Sequence, residues 1–115
     1  MLITVLKSKI HMVTITSTEL YYVGSIAIDK KLIKAAGLFP GEKVAVLNFD
    51  NGQRFETYVI EGGEGQIELR GPAARLGKKG QKLIILSYGM MTPKEYRKFK
   101  AKIVFVDDRN RIREK

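Results

Sequence analysis

A glycine followed by a serine is the first place where this chain could do chemistry. Gly24 and Ser25 follow Tyr21, Tyr22 and Val23 and precede an Ile-Ala-Ile-Asp run. If Gly24 adopts a conformation that other residues tolerate poorly, the Ser25 hydroxyl can attack the Gly24 carbonyl and convert the peptide bond to an ester. The alternative interpretation is an ordinary Gly-Ser turn.

Breakage of such an ester would leave an electrophilic ketone in the chain. β-Elimination frees the Gly24 carboxylate and leaves dehydroalanine at position 25, which adds water and loses ammonia to become a pyruvoyl group. This ketone forms a Schiff base with an amino acid and acts as the electron sink that pyridoxal phosphate supplies in other enzymes. The Gly-Ser step is therefore compatible with a cofactor built from the chain itself.

The composition favours one small basic domain, residues 1–115. The chain has 115 residues, no cysteine, one histidine and a formal net charge of +9. That length can bury a core but is small for a pocket built from one protomer, so we expect an oligomer. The lack of cysteine excludes disulfides, thiol catalysis and cysteine metal sites. We recognise no signal peptide and no membrane-spanning run, which predicts a soluble cytoplasmic protein without metal or membrane partners.

The positive charge leaves a competing hypothesis, a basic β-barrel that binds nucleic acid. Its support is the net charge of +9, the Lys78-Lys79 pair and the lysines between Lys94 and Lys102. Against it, these residues are scattered through turns and the terminal helix, and no aromatic-rich strand offers a stacking platform. A structural oligomeric domain without a ligand is the third interpretation.

The first predicted strand, residues 2–15, carries two polar groups. Lys9, His11, Val13 and Ile15 share one parity, so the ammonium and the imidazole should project from one face. Their alternative interpretations are a solvated lysine and a structural histidine.

A second polar set lies on the clearest predicted hairpin, whose strands Val44–Phe49 and Gln53–Ile60 are joined by an Asp-Asn-Gly turn. Arg54 and Tyr58 share one parity of the second strand and could face one site, and Thr57 has the other parity. A solvated arginine and a half-buried packing tyrosine are the alternatives.

Short helices are predicted between the strands. Asp29 can cap a helix over residues 30–36, and capping boxes start at Thr16 and at Thr92. The first box predicts a helical turn through Tyr21, and the second predicts a helix over residues 93–100. Further strands are predicted at 67–69, 83–86 and 103–106, and a charged, mobile end at 107–115. Because strands dominate, the pattern predicts a small, mainly β barrel with short capping helices.

Several motifs occur along the whole chain in a specific order. They are Lys9-Ile10-His11, Tyr22-Val23-Gly24-Ser25 with Ile28-Asp29, Ala35-Ala36-Gly37, Asn51-Gly52-Gln53-Arg54-Phe55-Glu56-Thr57-Tyr58, Gly71-Pro72-Ala73-Ala74 and Lys98-Phe99-Lys100 through Val106-Asp107. In this order they resemble the pyruvoyl-dependent aspartate 1-decarboxylase family.

The resemblance implies a double-psi β-barrel and a homotetramer with active sites at subunit boundaries. It also implies self-cleavage between Gly24 and Ser25, into residues 1–24 and 25–115, with maturation either spontaneous or assisted by a helper protein. The implied reaction converts L-aspartate to β-alanine and carbon dioxide for pantothenate and coenzyme A synthesis.

The resemblance further implies a role for each matching residue. Ser25 becomes the pyruvoyl group, Tyr58 is the proton donor, and Thr57 supports the oxyanion of self-cleavage and contacts substrate. Arg54, with Lys9 nearby, would hold the substrate side-chain carboxylate. The remaining residues that the resemblance places at the substrate pocket are His11, Tyr22, Gly71, Pro72 and Ala73.

Two positions depart from the family pattern. Arg70 stands where the family commonly has asparagine, which removes an amide from the pocket. Pro72 has no backbone N–H, which leaves Gly71 and Ala73 as the backbone donors of this loop.

Overall fold

The computed structural model describes residues 1–114, which form a mainly β protein with short helices. The fold class predicted from the sequence is confirmed at this level. The strands are β1 Ile3–Thr14, β2 Ser17–Glu19, β3 Ser25–Asp29, β4 Lys43–Asn48, β5 Arg54–Gly62, β6 Ile67–Arg70, β7 Lys82–Met91, β8 Lys102–Val106 and β9 Ile112–Arg113. The helices are α1 Lys30–Ala36, a 3-10 helix at Gly71–Arg75 and α2 Pro93–Lys98.

One mixed sheet contains all nine strands, in the order β2-β6-β3-β5-β4-β7-β1-β8-β9. β3 runs parallel to β5 on one side and antiparallel to β6 on the other. The predicted hairpin is present as the antiparallel pair β4 and β5. The sheet order therefore places the start of β3 between residues of β5 and β6.

A single apolar cluster lies inside the curved sheet. It takes side chains from strands near both ends of the sheet order, such as Leu69 on β6 and Val104 on β8. A fully buried aliphatic side chain contributes about 1.5–3 kcal/mol of stability, so this cluster is the main force that holds the sheet in its curved form. The largest side chains with almost no exposure are Ile10, Ile15, Ile26, Ile28, Leu32, Ile67, Leu69, Leu83 and Ile85.

Both predicted helices form with the expected caps. The Asp29 carboxylate accepts a hydrogen bond from the Lys31 N–H at 2.8 Å, and Gly37 ends α1 in the left-handed conformation with a φ of 70°. Thr92 and Glu95 form a reciprocal capping box at α2. α2 ends at Lys98, two residues before the predicted end.

The helical turn predicted from Thr16 to Tyr21 is wrong. Ser17–Glu19 forms the strand β2, which pairs in parallel with β6. The Thr16 hydroxyl donates to the Ile67 carbonyl and accepts from the Ile67 N–H, both at 3.0 Å. Ser17 donates to Glu68 at 2.6 Å. These hydroxyls bind a neighbouring strand and therefore cannot cap a helix.

The single predicted face of β1 is also wrong. Lys9 and His11 are half-buried on one side of the strand, but Val13 and Ile15 are buried on the other. Met12 has a φ of 66°, and the pairing register with β7 shifts between Ile10 and Val13. This irregularity adds a residue and reverses the alternation of side chains along the strand.

The charged end, which the sequence predicts to be mobile, contains regular structure in residues 107–114. Residues 112–113 form β9 on β8. Asn110 is buried, and its side chain bonds the Thr14 N–H at 2.7 Å and the Thr14 and Gly65 carbonyls at 2.9 Å. This amide satisfies backbone groups in two other segments, which explains the regular structure. Lys115 lies outside the described residues.

The helices of residues 1–114 are all too short to cross a bilayer as an apolar span.

Candidate active site

An open cleft of about 470 Å³ lies where the start of β3 meets β5 and the 3-10 helix. It brings together several of the residues that the sequence predicts for the site, including Gly24, Thr57 and Tyr58. Its lining residues are Gly24, Phe55, Glu56, Thr57, Tyr58, Arg70, Pro72, Ala73 and Leu76.

Ser25 is buried at the first position of β3, beside this cleft. In the parallel pair with β5, Ile26 lies opposite Val59, so Ser25 comes alongside Tyr58. In the antiparallel pair with β6, Ser25 lies opposite Arg70. The Ser25 hydroxyl donates a hydrogen bond to the Val23 carbonyl at 3.1 Å, which keeps it next to the peptide bond that it would attack.

The backbone of Gly71 presses against the Gly24 segment. Gly71 has a φ of 69°, and a Cβ atom there would lie 2.7 Å from Gly24 Cα and 3.0 Å from the Tyr22 carbonyl oxygen. Carbon atoms in ordinary contact are about 3.5–4.0 Å apart, so a side chain at position 71 would displace this segment. Glycine at 71 is required by both the conformation and the close approach.

Thr57 and Tyr58 enter the cleft from β5. Thr57 is half-buried and lies opposite Val44, and Tyr58 lies opposite Lys43 with 37% of its surface exposed. A tyrosine hydroxyl both donates and accepts hydrogen bonds, as does a threonine hydroxyl. Two hydroxyls thus stand on the strand next to the Gly24–Ser25 peptide bond.

The Arg70 guanidinium is a cation at the edge of the same cleft. Its Nε donates to Glu68 Oε1 at 2.5 Å, and only 16% and 15% of the two side chains are exposed. Its guanidinium lies over the Tyr22 ring, with Cζ 4.4 Å from the ring centroid. Hydrogen bonds from Ser17 and Arg70 lower the pKa of Glu68. In the sequence, Arg70 stands out only as a departure from the family pattern. Its contact with Tyr22 was not predicted, because it depends on the pairing of distant strands.

The family assignment follows from comparison with known proteins. A family model described as aspartate decarboxylase matches residues 1–113. The chain belongs to the aspartate decarboxylase family. This confirms the resemblance predicted from the motifs.

Proteins named aspartate 1-decarboxylase are similar over nearly the whole chain. Those of Caldicellulosiruptor bescii and Caldicellulosiruptor saccharolyticus are each 57% identical over 97% of this chain and 89% of the relative. The protein of Clostridium beijerinckii is 51% identical over 99% of this chain and 94% of the relative.

The aspartate decarboxylase family is consistent with a pyruvoyl cofactor, and the residues present fit one. Ser25 is buried at the start of a strand, with its hydroxyl against the Val23 carbonyl. Because Gly71 has no side chain, its backbone packs directly against Gly24. Within residues 1–114 no cluster of three or more His, Asp or Glu side chains is arranged to hold a metal ion.

Two residues of the predicted site lie away from the cleft. Lys9 and His11 are on β1, which β4 and β7 separate from β5 in the sheet. The His11 ring contacts Phe105 edge-to-face with centroids 5.8 Å apart, and its Nδ1 atom is buried without a hydrogen-bond partner in residues 1–114. Burial, and then the charges of Lys9 and Arg113, lower the pKa of His11.

Arg54 also stands apart from the lining of the cleft. It is exposed at the first position of β5, opposite Leu47 on β4. The chain therefore brings Gly24, Thr57, Tyr58 and the 71–73 loop together but does not bring Lys9, His11 or Arg54 to them.

Proposed function

We propose that the chain is a pyruvoyl-dependent aspartate 1-decarboxylase that cleaves itself between Gly24 and Ser25. It converts L-aspartate to β-alanine and carbon dioxide, a reaction that serves pantothenate and coenzyme A synthesis. The observation that carries this proposal is the meeting of Gly24, Thr57 and Tyr58 at one cleft with Ser25 buried beside it, in a chain of the aspartate decarboxylase family.

Self-cleavage starts with the Ser25 hydroxyl. The hydroxyl leaves the Val23 carbonyl, 3.1 Å away, and its oxygen bonds to the Gly24 carbonyl carbon. The Gly24–Ser25 C–N bond breaks, and the hydroxyl proton moves to the Ser25 nitrogen. Elimination from the resulting ester releases the Gly24 carboxylate and leaves dehydroalanine at position 25. Addition of one water and loss of one ammonia then give the ketone. Thr57 donates a hydrogen bond to the oxyanion that develops during the first step.

In turnover, the chain's own side chains bind the substrate and move a proton. When formed, the pyruvoyl group would supply an electron sink for the pair that stays on the substrate carbon when carbon dioxide leaves. The Tyr58 hydroxyl returns a proton to the substrate carbon that has lost its carboxylate. The N–H groups of Gly71 and Ala73 are the backbone donors of the loop beside it, since Pro72 has none.

Arg70, the cation that one chain does bring to the cleft, is paired with Glu68, so the substrate side-chain carboxylate needs further cations. Arg54 binds that carboxylate, and Lys9 adds charge nearby. Lys9, His11 and Arg54 reach the cleft from an identical neighbouring subunit, in a homotetramer with active sites between subunits. The exposed run Tyr21, Tyr22 and Val23 at the cleft edge supports such an interface, because contiguous exposed apolar residues mark contact surfaces.

Activity is tested by incubating the purified protein with L-aspartate and measuring β-alanine and carbon dioxide, with Ser25→Ala as the control. We expect equal amounts of both products from the native protein and none from the control, because no hydroxyl remains to start cleavage. Products from the control, or none from a cleaved native protein, would contradict the proposal.

The shared site is tested by co-expressing two inactive variants, Lys9→Ala and Tyr58→Phe. If different subunits supply these residues, mixed assemblies contain some intact sites and recover activity, whereas each variant alone stays inactive. No recovery in a mixed oligomer that mass measurement shows to contain both variants would place the two residues in one subunit's site.

The proposal also places the enzyme in the cytoplasm, with maturation either spontaneous or assisted by a helper protein. Incubation of the purified precursor alone distinguishes the two routes of maturation.

A further inference from the structure

The segment that carries the scissile bond, residues 20–24, is held by few contacts of its own. It joins β2 to β3 without a strand partner. Tyr21, Tyr22 and Val23 are 89%, 56% and 69% exposed. Within one chain, burial therefore does not fix the conformation of this segment, and a small number of specific contacts must do so.

Arg70 meets this segment at both ends and in the middle. On one side of β6 it lies opposite Glu19, the last residue of β2, and on the other it lies opposite Ser25, the first residue of β3. Between these pairings its guanidinium covers the Tyr22 ring at 4.4 Å. One residue thus brackets the whole segment that precedes the scissile bond.

The guanidinium is itself fixed from behind. Glu68 accepts the Arg70 Nε–H at 2.5 Å through one carboxylate oxygen and the Ser17 hydroxyl at 2.6 Å through the other. A guanidinium that a carboxylate already holds loses little further conformational freedom when an aromatic ring stacks on it. A series of side-chain contacts therefore links β2, β6 and the cleavage segment, through Ser17, Glu68, Arg70 and Tyr22.

We propose that Arg70 is a positioning residue for self-cleavage, which holds Tyr22 and through it the Val23–Gly24 backbone in the geometry that Ser25 attacks. This inference rests on the proposed self-cleavage. It assigns a role to Arg70, the residue that stands where the family commonly has asparagine. Arg70 raises the fraction of precursor molecules in the reactive conformation and does not touch the reacting atoms.

The test follows conversion of the freshly purified full-length precursor to residues 1–24 and 25–115 by intact mass under denaturing conditions. Arg70→Gln should slow cleavage about 5- to 30-fold, the equivalent of roughly 1–2 kcal/mol for a partly desolvated cation–π contact. In a Tyr22→Leu background the same substitution should cause no further slowing. In a Tyr22→Phe background, which keeps the ring, it should slow cleavage as in the native chain.

Two further variants separate positioning from folding. Arg75→Gln removes an exposed charge from the adjacent 3-10 helix and should leave the cleavage rate unchanged. The double variant Glu68→Gln/Arg70→Gln leaves no unpaired buried charge. It should melt close to the native precursor yet cleave as slowly as Arg70→Gln.

Three results would contradict parts of this proposal. Equal cleavage rates for the native and Arg70→Gln chains would overturn the role of Arg70 and leave the proposed function intact. Equal slowing in the Tyr22→Leu background would overturn the stacking contact. A native chain that never cleaves on prolonged warm incubation would overturn both this inference and the proposed function.

Discussion

The cleavage segment and the turn at Asn110 show opposite ways of fixing a backbone. Asn110 is 1% exposed, and its side chain makes three hydrogen bonds to the backbone of Thr14 and Gly65. Residues 20–24 are largely exposed and rest on a bare glycine and a stacked guanidinium. The first arrangement stabilises the fold, and in the proposed mechanism the second positions the Gly24–Ser25 peptide bond for cleavage with little contribution to stability. Substitutions in the two regions should therefore separate stability from chemistry.

The largest effect on chemistry is expected from Gly71→Ala. The added Cβ would lie 2.7 Å from Gly24 Cα and force the segment to move by about 1 Å, a displacement that can reduce a reaction rate by about 100-fold. We expect self-cleavage, followed by intact mass, to slow by at least that factor.

Gly80→Ala is the matched control for Gly71→Ala. Gly80 also has a positive φ, 93°, but a Cβ there meets nothing within 4 Å. Both variants carry the left-handed strain of about 1–2 kcal/mol, but only Gly71→Ala should lose cleavage. Equal cleavage by the two variants would show that the close approach of Gly71 is unimportant.

At the other region, Asn110→Ala should reduce stability and leave the chemistry of the folded protein unchanged. The substitution leaves buried backbone groups of Thr14 and Gly65 without partners and puts alanine at a φ of 62°. We expect a loss of about 3 kcal/mol in the free energy of unfolding, measured by urea denaturation. Arg109→Ala, an exposed neighbour, should change it by less than about 0.5 kcal/mol. Slower cleavage in fully folded Asn110→Ala would break the separation between the regions.

The smallest effect is expected at Glu42, which joins β1, β7 and the turn before β4. Burial raises the pKa of Glu42, but hydrogen bonds from Lys7, Ser87 and the Phe39 N–H outweigh burial and lower it overall. Because the folded pKa is lowered, this carboxylate stabilises the fold above its ordinary pKa, and the contribution is lost as pH falls through the folded pKa.

Glu42→Gln tests this dependence. It should cost about 1–2 kcal/mol at neutral pH, since hydrogen bonds to a charged group are replaced by weaker ones. The difference from the native chain should shrink as urea denaturation is repeated at pH values below about 4. Glu56→Gln, in an exposed pair with Lys43, is the control and should show no such trend. A constant difference at every pH would exclude the ionised carboxylate as the cause.

Local signals in the sequence predicted the elements that local interactions determine. The Asn-Gly turn predicted the β4–β5 hairpin, and Asp29 and the Thr92 box predicted the starts of α1 and α2. The errors occur where a distant partner decides. Thr16 bonds Ile67 on β6 and so does not cap a helix.

The same division holds for the site. The motifs predicted Thr57, Tyr58 and the 71–73 loop, which the fold brings together at or beside one cleft, and Ser25, which lies beside it. The positive φ of Met12, which reverses the face of β1, has no local sequence signal. The contact of Arg70 with Tyr22 depends on the pairing of β6 with both β2 and β3, which no sequence pattern gives.

The most direct test of the central claim is the intact mass of the purified protein under denaturing conditions. We expect two fragments, one ending at Gly24 and one beginning at residue 25. The second fragment should lack the serine amino group and carry a ketone in its place. A single chain of full mass that persists after prolonged warm incubation would contradict the account.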